Sequence, residues 1–587
     1  MVLESRISNS AKILDIAIFS FVLVMSQSQI NFAQIPIEIP TLEQVAAEYQ
    51  EINATLDQAQ TKSDREQALQ QWENLRRRLD TWGAMTSLNF SQDTTNQDYK
   101  QAQQYSDELR PKLTALEVAL KRRLLNSSNR IELESILGQQ AFSLWSADVT
   151  TFEPIIEADL VQESKLVNQY VELLASASLE FRGKPLNLSG IRQYTEDSDR
   201  QTRYQAEQVR WQFFSQHQTQ LDSIYDQLVK LRHSMAQKLG YENYTGLGYQ
   251  RMQRIDYTEA DVASYRDEVV AKVVPLAQKI IDQKAQKLNL ERVMYWDEAV
   301  FDLQGNPKPQ GDHDWMLQQA QKMFDNLHPE LGSFFAMMVA GNLLDLKTRP
   351  GKAGGGFCTS FPTAGVPYIF ANFNQTKGDV EVFTHEMGHA FQAWQSRNLP
   401  LIDYLWPTLE SCEIHSMSLE FLTWSQMDKF FGEDAHRFRE IHLAQSILFL
   451  PYGCAVDHFQ HLVYANPEAT PQERNQMWQQ MEARYLPWRQ YGDLEYPAEG
   501  GLWQEKQHIY CSPFYYIDYT LALCCAMQFW VKAESDLTGA LSEYIALCQL
   551  GGKAPFGSLT SSANLVSPFK SGSLANVVTK AQQFLGL

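Results

Sequence analysis

The chain has few cysteines, and a disulfide framework is therefore excluded as its main structural support. All seven cysteines lie beyond residue 357, their number is odd, and no Cys-x-x-Cys pair occurs. Secreted disulfide scaffolds show the opposite pattern, with paired cysteines spread through a short chain. The sequence predicts free thiols in a reducing compartment, and we expect a cytoplasmic protein.

Positive charge is also scarce. The chain has 50 Lys and Arg against 70 Asp and Glu, which gives a formal net charge of −20. An average field of this sign repels a phosphate backbone, so we expect no nucleic acid partner. The acidic excess favours a solubilising surface over a channel for basic peptides.

The sequence lacks a long apolar run near its N-terminus. The stretch from Ile13 to Met25 is apolar and follows Lys12, but it is too short to span a bilayer as a helix. Asp15 interrupts it and no small-residue cleavage site follows, so the stretch is a poor signal peptide that nevertheless leaves export open. Translation that begins at Met25 would remove the preceding 24 residues. We expect no stable membrane association.

Most of the chain shows the spacing of apolar residues that is typical of α-helices. Its 587 residues exceed what one core organises, so we expect subdomains. We assign residues 1–34 to an N-terminal extension, 35–200 to a helical domain and 201–587 to a catalytic domain. Apolar residues recur at spacings of three and four through most of the chain, which predicts a mostly α fold.

The pattern changes between residues 350 and 373. A glycine-rich stretch is followed by two short apolar runs, 357–361 and 368–373, that are typical of strands. Helical pattern resumes at Gly378 or Asp379. We therefore predict a small β-sheet just before the helix that carries the motif described next.

Residues 385–389 read His-Glu-Met-Gly-His. On a helix, His385 and His389 share one face and can bind the same metal ion, with Glu386 beside it to accept a proton from water. By composition the pattern arises by chance in about three chains in a hundred, so it is not decisive alone. The positions where a metzincin would have Gly and His are Gln392 and Gln395, which excludes that class.

A catalytic zinc site needs a third protein ligand. Glu413 and Glu420 lie seven residues apart, on one face of the following helix, so one can bind metal while the other accepts a hydrogen bond from a ligating His. Spacing does not decide between them, and Glu410 is a third candidate.

These segments resemble the oligoendopeptidase F and thimet oligopeptidase family of zinc peptidases, over about residues 350–530. The resemblance implies that Glu413 is the third zinc ligand and that Glu420 supports a ligand His. It also implies one Zn²⁺ per chain and a two-lobed helical shell around a deep channel. The edge of the glycine-rich sheet would bind the substrate main chain.

The same resemblance assigns His508 to a cluster that faces the metal and hydrogen-bonds the substrate or the tetrahedral intermediate. Tyr516 and Tyr519 are three residues apart and complete this cluster, with Tyr515 as an alternative because the register is uncertain by one residue. Two further histidine pairs, His458 with His461 and His436 with His442, are interpreted as packing or surface residues.

The predicted activity is zinc-dependent hydrolysis of internal bonds in short, unstructured peptides, with Glu386 as general base. One alternative is a related helical zinc carboxypeptidase or peptidyl-dipeptidase. Such an enzyme would need a basic group to capture a terminal carboxylate, and the sequence offers no clear candidate. The other is an inactive peptide-binding protein. The oligomeric state is not predicted.

Overall fold

A computed structural model describes residues 30–587. The predictions about residues 1–29, including the apolar stretch from Ile13 to Met25, lie outside the described residues. Helices dominate the described chain, and strands are confined to two short sheets. The predicted mostly α fold, with a small sheet before the motif helix, is confirmed.

Fourteen α-helices precede the main sheet in the described chain, and they are numbered in chain order. They are α1 (Leu42–Gln58), α2 (Lys62–Gln92), α3 (Gln97–Leu125), α4 (Arg130–Leu137), α5 (Gln139–Asp148), α6 (Glu157–Ala175), α7 (Arg192–Thr195), α8 (Arg200–Gln216), α9 (Gln218–Lys238), α10 (Tyr244–Arg251), α11 (Glu259–Glu268), α12 (Val274–Lys287), α13 (His313–Leu327) and α14 (Pro329–Ala340).

The helices that follow the sheet carry the predicted site. They are α15 (Gly378–Ser396), α16 (Leu409–Leu422), α17 (Asp428–Phe431), α18 (Ala435–Ala465), α19 (Pro471–Tyr485), α20 (Glu495–Ala498), α21 (Gln507–Cys511), α22 (Tyr516–Ala533), α23 (Leu537–Leu550), α24 (Phe556–Ser562) and α25 (Ala575–Leu585).

The main sheet has three strands in the order β3-β5-β4. Strands β1 (Leu179–Phe181) and β2 (Lys184–Leu186) form a separate hairpin, and the sheet itself consists of β3 (Leu344–Lys347), β4 (Phe357–Phe361) and β5 (Val366–Phe373). Strand β5 pairs in parallel with β3 and antiparallel with β4. Strand β4 is therefore an edge strand, with one side free of backbone partners within residues 30–587.

Helix α16 is almost entirely buried. Nearly every one of its side chains is buried, including the carboxylates of Glu410 and Glu413. It packs most extensively on α22 and α15. Carboxylates this deep need partners, because an unpaired buried charge costs several kcal/mol. The partners of Glu413 define the site described below.

The N-terminal helices are attached to the segment that follows α15. Leu401 and Tyr404 enter a small apolar core that is otherwise formed by α1 to α5. The Tyr404 hydroxyl donates to the Leu137 carbonyl at 2.6 Å, and Arg76 forms an ion pair with Asp403 at 2.7 Å. Apolar side chains from both sides of residue 200 share the larger core. The predicted domain boundary stays a prediction.

Candidate metal centre and active site

Helix α15 presents two imidazoles on one face. The ring centroids of His385 and His389 are 5.0 Å apart, and both side chains are partly exposed to a cavity. The spacing of four residues produces this arrangement, because positions i and i+4 of a helix lie one above the other. The two rings can therefore bind a common ligand.

Gly388 allows the second helix to reach these imidazoles. A Cβ atom at this position would lie 2.5 Å from the His415 carbonyl oxygen and 2.6 Å from the Ser416 Cα atom. Backbone atoms cannot yield to such contacts as a flexible side chain would. Helices α15 and α16 thus approach closely because residue 388 has no side chain.

Glu413 is the residue of α16 that the close approach brings to the histidines. Its Oε2 atom lies 3.1 Å from Nε2 of His385 and 3.3 Å from Nε2 of His389. Ligand atoms about 2.0–2.1 Å from a tetrahedral zinc ion would lie about 3.3–3.4 Å apart. Two imidazole nitrogens and one carboxylate oxygen at this spacing fit a catalytic zinc ion with one open position.

Glu420 holds the orientation of one imidazole. Its Oε1 atom lies 2.7 Å from Nδ1 of His385, and its Oε2 atom lies 2.7 Å from Nε2 of His442. The indole of Trp424 donates to Nδ1 of His442 at 3.1 Å. An indole N–H can only donate, so a neutral His442 carries its proton on Nε2 and donates to Glu420. Glu420 also accepts from Nδ1–H of His385, which leaves Nε2 of His385 free to bind metal.

His442 is a residue that the sequence analysis did not connect with the site. The sequence predicts a packing or surface histidine, and the structure shows it buried against Glu420. No local pattern links the two residues, because they lie on α16 and α18, 22 residues apart. Only the packing of those helices brings them together.

Glu413 accepts hydrogen bonds from two hydroxyl groups. The Tyr515 hydroxyl donates to its Oε1 atom at 2.5 Å, and the Ser416 hydroxyl donates to its Oε2 atom at 2.8 Å. Glu410, the third candidate ligand, lies outside the cluster of three ligand atoms. It accepts a hydrogen bond from Thr408, and burial raises its pKa to about 8.

Glu386 lies beside the proposed ligands and its side chain is buried. Burial raises the pKa of its carboxyl group, while the two imidazoles act in the opposite direction. Its Oε2 atom has no hydrogen-bond partner among residues 30–587. Its Oε1 atom lies 3.2 Å from where a Cβ of Gly356 would be, so a side chain at 356 would crowd it. A buried carboxylate with a free oxygen, beside three metal-binding atoms, is placed to accept a proton from water.

These residues open onto a cavity of about 890 Å³, the catalytic cavity. Residues of helices α1 to α3, of α15 and of strand β4 all line it. The cavity is lined by residues of β4, by the proposed metal ligands with Glu386, and by residues of the histidine and tyrosine cluster: Cys358, Thr359, Ser360, His385, Glu386, His389, Glu413, His508, Tyr515 and Tyr519.

The predicted aromatic cluster is only partly in this cavity. His508 and Tyr519 both line it, with His508 Nε2 and the Tyr519 hydroxyl 3.0 Å apart. Burial lowers the pKa of His508 to about 4, so its ring is neutral near pH 7. Tyr516 does not line the cavity, since its ring packs beside Tyr452 and the Lys506 ammonium. Tyr515, the alternative, occupies the site.

The backbone before Tyr515 is held in an unusual conformation. Phe514 has φ of +68°, which is rare for a residue with a side chain. Arg254 donates to the Phe514 carbonyl at 2.6 Å, and the Phe514 amide donates to Gln460 Oε1 at 3.0 Å. A Cβ on Gly248 would lie 2.7 Å from the Phe514 ring. These contacts fix where α22 begins and therefore where Tyr515 points.

Comparison with known proteins identifies the class. Residues 193–555 match peptidase family M3, and residues 32–152 match the peptidase M3 N-terminal domain. The chain belongs to peptidase family M3. A comparison with curated proteins finds no match.

Solved structures place the chain within that family. An X-ray structure described as oligoendopeptidase F is 44% identical, with a TM-score of 0.94, and the match covers 95% of this chain and 99% of that one. PZ peptidase A with an inhibitor is 41% identical, with a TM-score of 0.94 and the same coverage. A structure described as oligoendopeptidase F from Bacillus anthracis str. Ames is 38% identical, with a TM-score of 0.89, covering 95% and 98%. The chain is a metalloendopeptidase of the oligoendopeptidase F branch, which confirms the resemblance.

Proposed function

We propose that the protein is a zinc-dependent oligoendopeptidase that hydrolyses internal bonds of short, unstructured peptides. The observation that carries the proposal is the convergence of His385, His389 and Glu413 beside Glu386, whose Oε2 atom has no hydrogen-bond partner within residues 30–587. The three would hold one Zn²⁺, and Glu420 would orient His385. A bound zinc ion would polarise the scissile carbonyl and acidify a water molecule.

The residues of the chain supply the proton transfers. Glu386 takes a proton from the attacking water and passes it to the departing amine, the role that its buried position favours. Tyr515 and Tyr519 line the same cavity, and the Tyr515 hydroxyl would turn from Glu413 to the carbonyl oxygen of a bound substrate. Together with neutral His508 they would stabilise the negative charge that develops on the carbonyl oxygen. We therefore replace Tyr516 by Tyr515 in the proposed set.

The free edge of β4 is the proposed binding site for the substrate main chain. It lines the catalytic cavity with Cys358, Thr359 and Ser360. A peptide that adds to such an edge is recognised by backbone hydrogen bonds, which depend little on its side chains. The cavity, which residues of α1 to α3 also line, leaves room for an extended segment and favours short peptides without stable structure.

Two supporting inferences concern the setting of the enzyme. All seven cysteines are free in the structure, and five of them are buried, which supports a reducing, cytoplasmic location. No helix within residues 30–587 is long and apolar enough to cross a membrane.

The test is cleavage of an internally quenched peptide of about ten residues by the wild type and by Glu386→Gln. We expect internal cleavage, at least about 10³-fold slower in the variant because the general base is absent, with zinc bound equally in both. Chelation should abolish the wild-type activity and added zinc should restore it. Mass spectrometry of the products separates this reading from the alternatives.

Removal of terminal residues alone would establish an exopeptidase. Stoichiometric zinc without any cleavage would establish a peptide-binding protein. Equal activity of wild type and variant would contradict the role of Glu386 and indicate that another site, or a contaminant, cleaves the peptide.

A further inference from the structure

A second cavity adjoins the catalytic one. It has a volume of about 530 Å³, and it shares Gly356 and His508 with the catalytic cavity. Gly356 directly precedes β4, so the second cavity lies where the free edge of that strand begins. A peptide paired with β4 would extend from one cavity into the other.

The carboxylates that line this second cavity all have partners. Glu381 pairs with Lys377 at 2.7 Å, and Glu505 pairs with Arg210. The other two accept hydrogen bonds from uncharged donors. Asp379 accepts from the backbone amides of residues 374 and 375, each at 2.8 Å, and Glu196 accepts from the Asn306 side chain at 3.0 Å.

Two cations in the same cavity form no such contact, although Glu196 is near enough to Arg192 to oppose the lowering of its pKa by burial and by Arg210. Arg192 and Lys506 form no ion pair with a carboxylate in the part of the chain that the structure describes. Arg192 is exposed, and the surface it exposes lines the cavity. Lys506 is half-buried, with its ammonium 5.3 Å from the ring centroid of Tyr452 and 5.4 Å from that of Tyr516. We call this second cavity the cationic cavity.

The two charges affect each other and the site. Burial acts to lower the pKa of Lys506, and so does the charge of Arg192, but the phenols of Tyr452 and Tyr516 hold it above its usual value. Lys506 also adds to the effect of burial in lowering the pKa of His508. Arg192 and Lys506 therefore lie near one another, next to a residue of the proposed active site.

The direction of β4 relates this positive charge to one end of a substrate. The strand runs from the cationic cavity at Gly356 towards Phe361. A peptide that pairs antiparallel with it has its C-terminal part at Gly356, whereas a parallel peptide would bring its N-terminal ammonium towards two cations. Charge therefore selects the antiparallel direction, with a carboxylate entering the cationic cavity.

We propose that Arg192 and Lys506 form a carboxylate-binding subsite that recognises the free C-terminus, or an acidic side chain, of the peptide segment beyond the scissile bond. This inference rests on the proposed peptidase function and adds to it a preference among peptides. An arginine guanidinium suits a carboxylate because it can donate two parallel hydrogen bonds. The subsite would also supply a basic group for a terminal carboxylate, for which the sequence alone offers no clear candidate.

The test compares three internally quenched peptides of one sequence, with a free C-terminal acid, a C-terminal amide, or an amide with glutamate as the last residue. For the wild type we expect kcat/KM to be about tenfold or more higher for the free acid than for the amide, mainly through KM. Arg192→Gln should slow cleavage of the acid and leave that of the amide unchanged, and Lys506→Gln should lower the ratio of acid to amide cleavage. Arg192→Lys should keep much of the preference.

The matched control is Arg292→Gln, which removes an exposed arginine elsewhere and should keep the wild-type ratio. If the glutamate amide is cleaved as fast as the acid, the subsite accepts side-chain carboxylates; if not, it is specific for the terminus. Equal cleavage of acid and amide by the wild type would overturn the subsite, and so would variants that slow both equally. Either result leaves the peptidase proposal standing, whereas no cleavage of any peptide by the zinc-loaded wild type contradicts that proposal itself.

Discussion

The catalytic cavity and the cationic cavity meet at Gly356 and His508, yet they differ in which charged side chains have partners. In the catalytic cavity, Glu413 is surrounded by imidazoles and hydroxyl groups that compensate its charge. In the cationic cavity the carboxylates have partners, whereas Arg192 and Lys506 form no ion pair with a carboxylate of the described residues. The first arrangement suits the binding of a metal cation, and the second suits the binding of an anion.

The difference indicates that reaction and recognition are separable in this protein. Changes in the catalytic cavity should alter the rate for every peptide by the same factor. Changes in the cationic cavity should alter the ratio between peptides with and without a carboxylate. Each prediction below is therefore tested with the free-acid and amide peptides, and its outcome supports or contradicts this division.

The largest effect is expected from Glu413→Gln. Among the three proposed ligands only Glu413 is negatively charged, and this variant replaces it by a neutral amide. Zinc affinity should therefore fall by more than the roughly 100-fold loss that is typical when a residue hydrogen-bonded to a metal ligand is changed. Activity should be lost with both peptides, and metal analysis should find little zinc. Glu410→Gln, three residues earlier on the same helix, is the control, since burial raises the pKa of Glu410 to about 8 and the native group is largely uncharged near neutral pH. Zinc loss in Glu410→Gln instead would reassign the ligand.

A smaller effect is expected from Tyr515→Phe. The loss of one donor to the developing negative charge should lower kcat by about 10²–10³-fold for acid and amide alike. Tyr516→Phe is the matched control, and its kcat should stay near the wild-type value because Tyr516 does not line the catalytic cavity. If Tyr516→Phe is the slower variant, the proposed replacement of one tyrosine by its neighbour is wrong.

The smallest effect is expected from Glu420→Gln. A glutamine cannot accept hydrogen bonds from both His385 and His442 with equal strength, so zinc affinity should fall by about 10–100-fold. At saturating zinc, most of the activity should return with an unchanged ratio of acid to amide. Competition with a chelator measures the affinity, and Glu468→Gln, an exposed change on another surface, serves as control. A changed peptide ratio at full zinc occupancy would break the division between the cavities.

The sequence predicted those parts of the site that lie within one element. Four-residue spacing places His385 and His389 together, and strand β4 appears at residues 357–361 as the apolar run predicted. The third ligand required the family resemblance, because spacing on α16 left Glu410, Glu413 and Glu420 equivalent.

Contacts between distant elements were not predictable in this way. His442 reaches Glu420 only through the packing of α18 on α16. The choice between Tyr515 and Tyr516 depends on the left-handed backbone conformation of Phe514. A phenylalanine at that position does not predict such a conformation. Arg192 lies more than 300 residues before Lys506, and only the fold brings both to one cavity.

The close approach at Gly388 has a consequence for which sequences can carry this motif. In the pattern His-Glu-x-x-His the two middle letters are usually treated as free choices. Here Met387 is fully buried in the core, and Gly388 is where the backbone of one helix touches the backbone of the next. The first of the two positions must therefore stay apolar and of similar volume. The second excludes any side chain, and natural variation at residue 388 should be as restricted as at the histidines themselves.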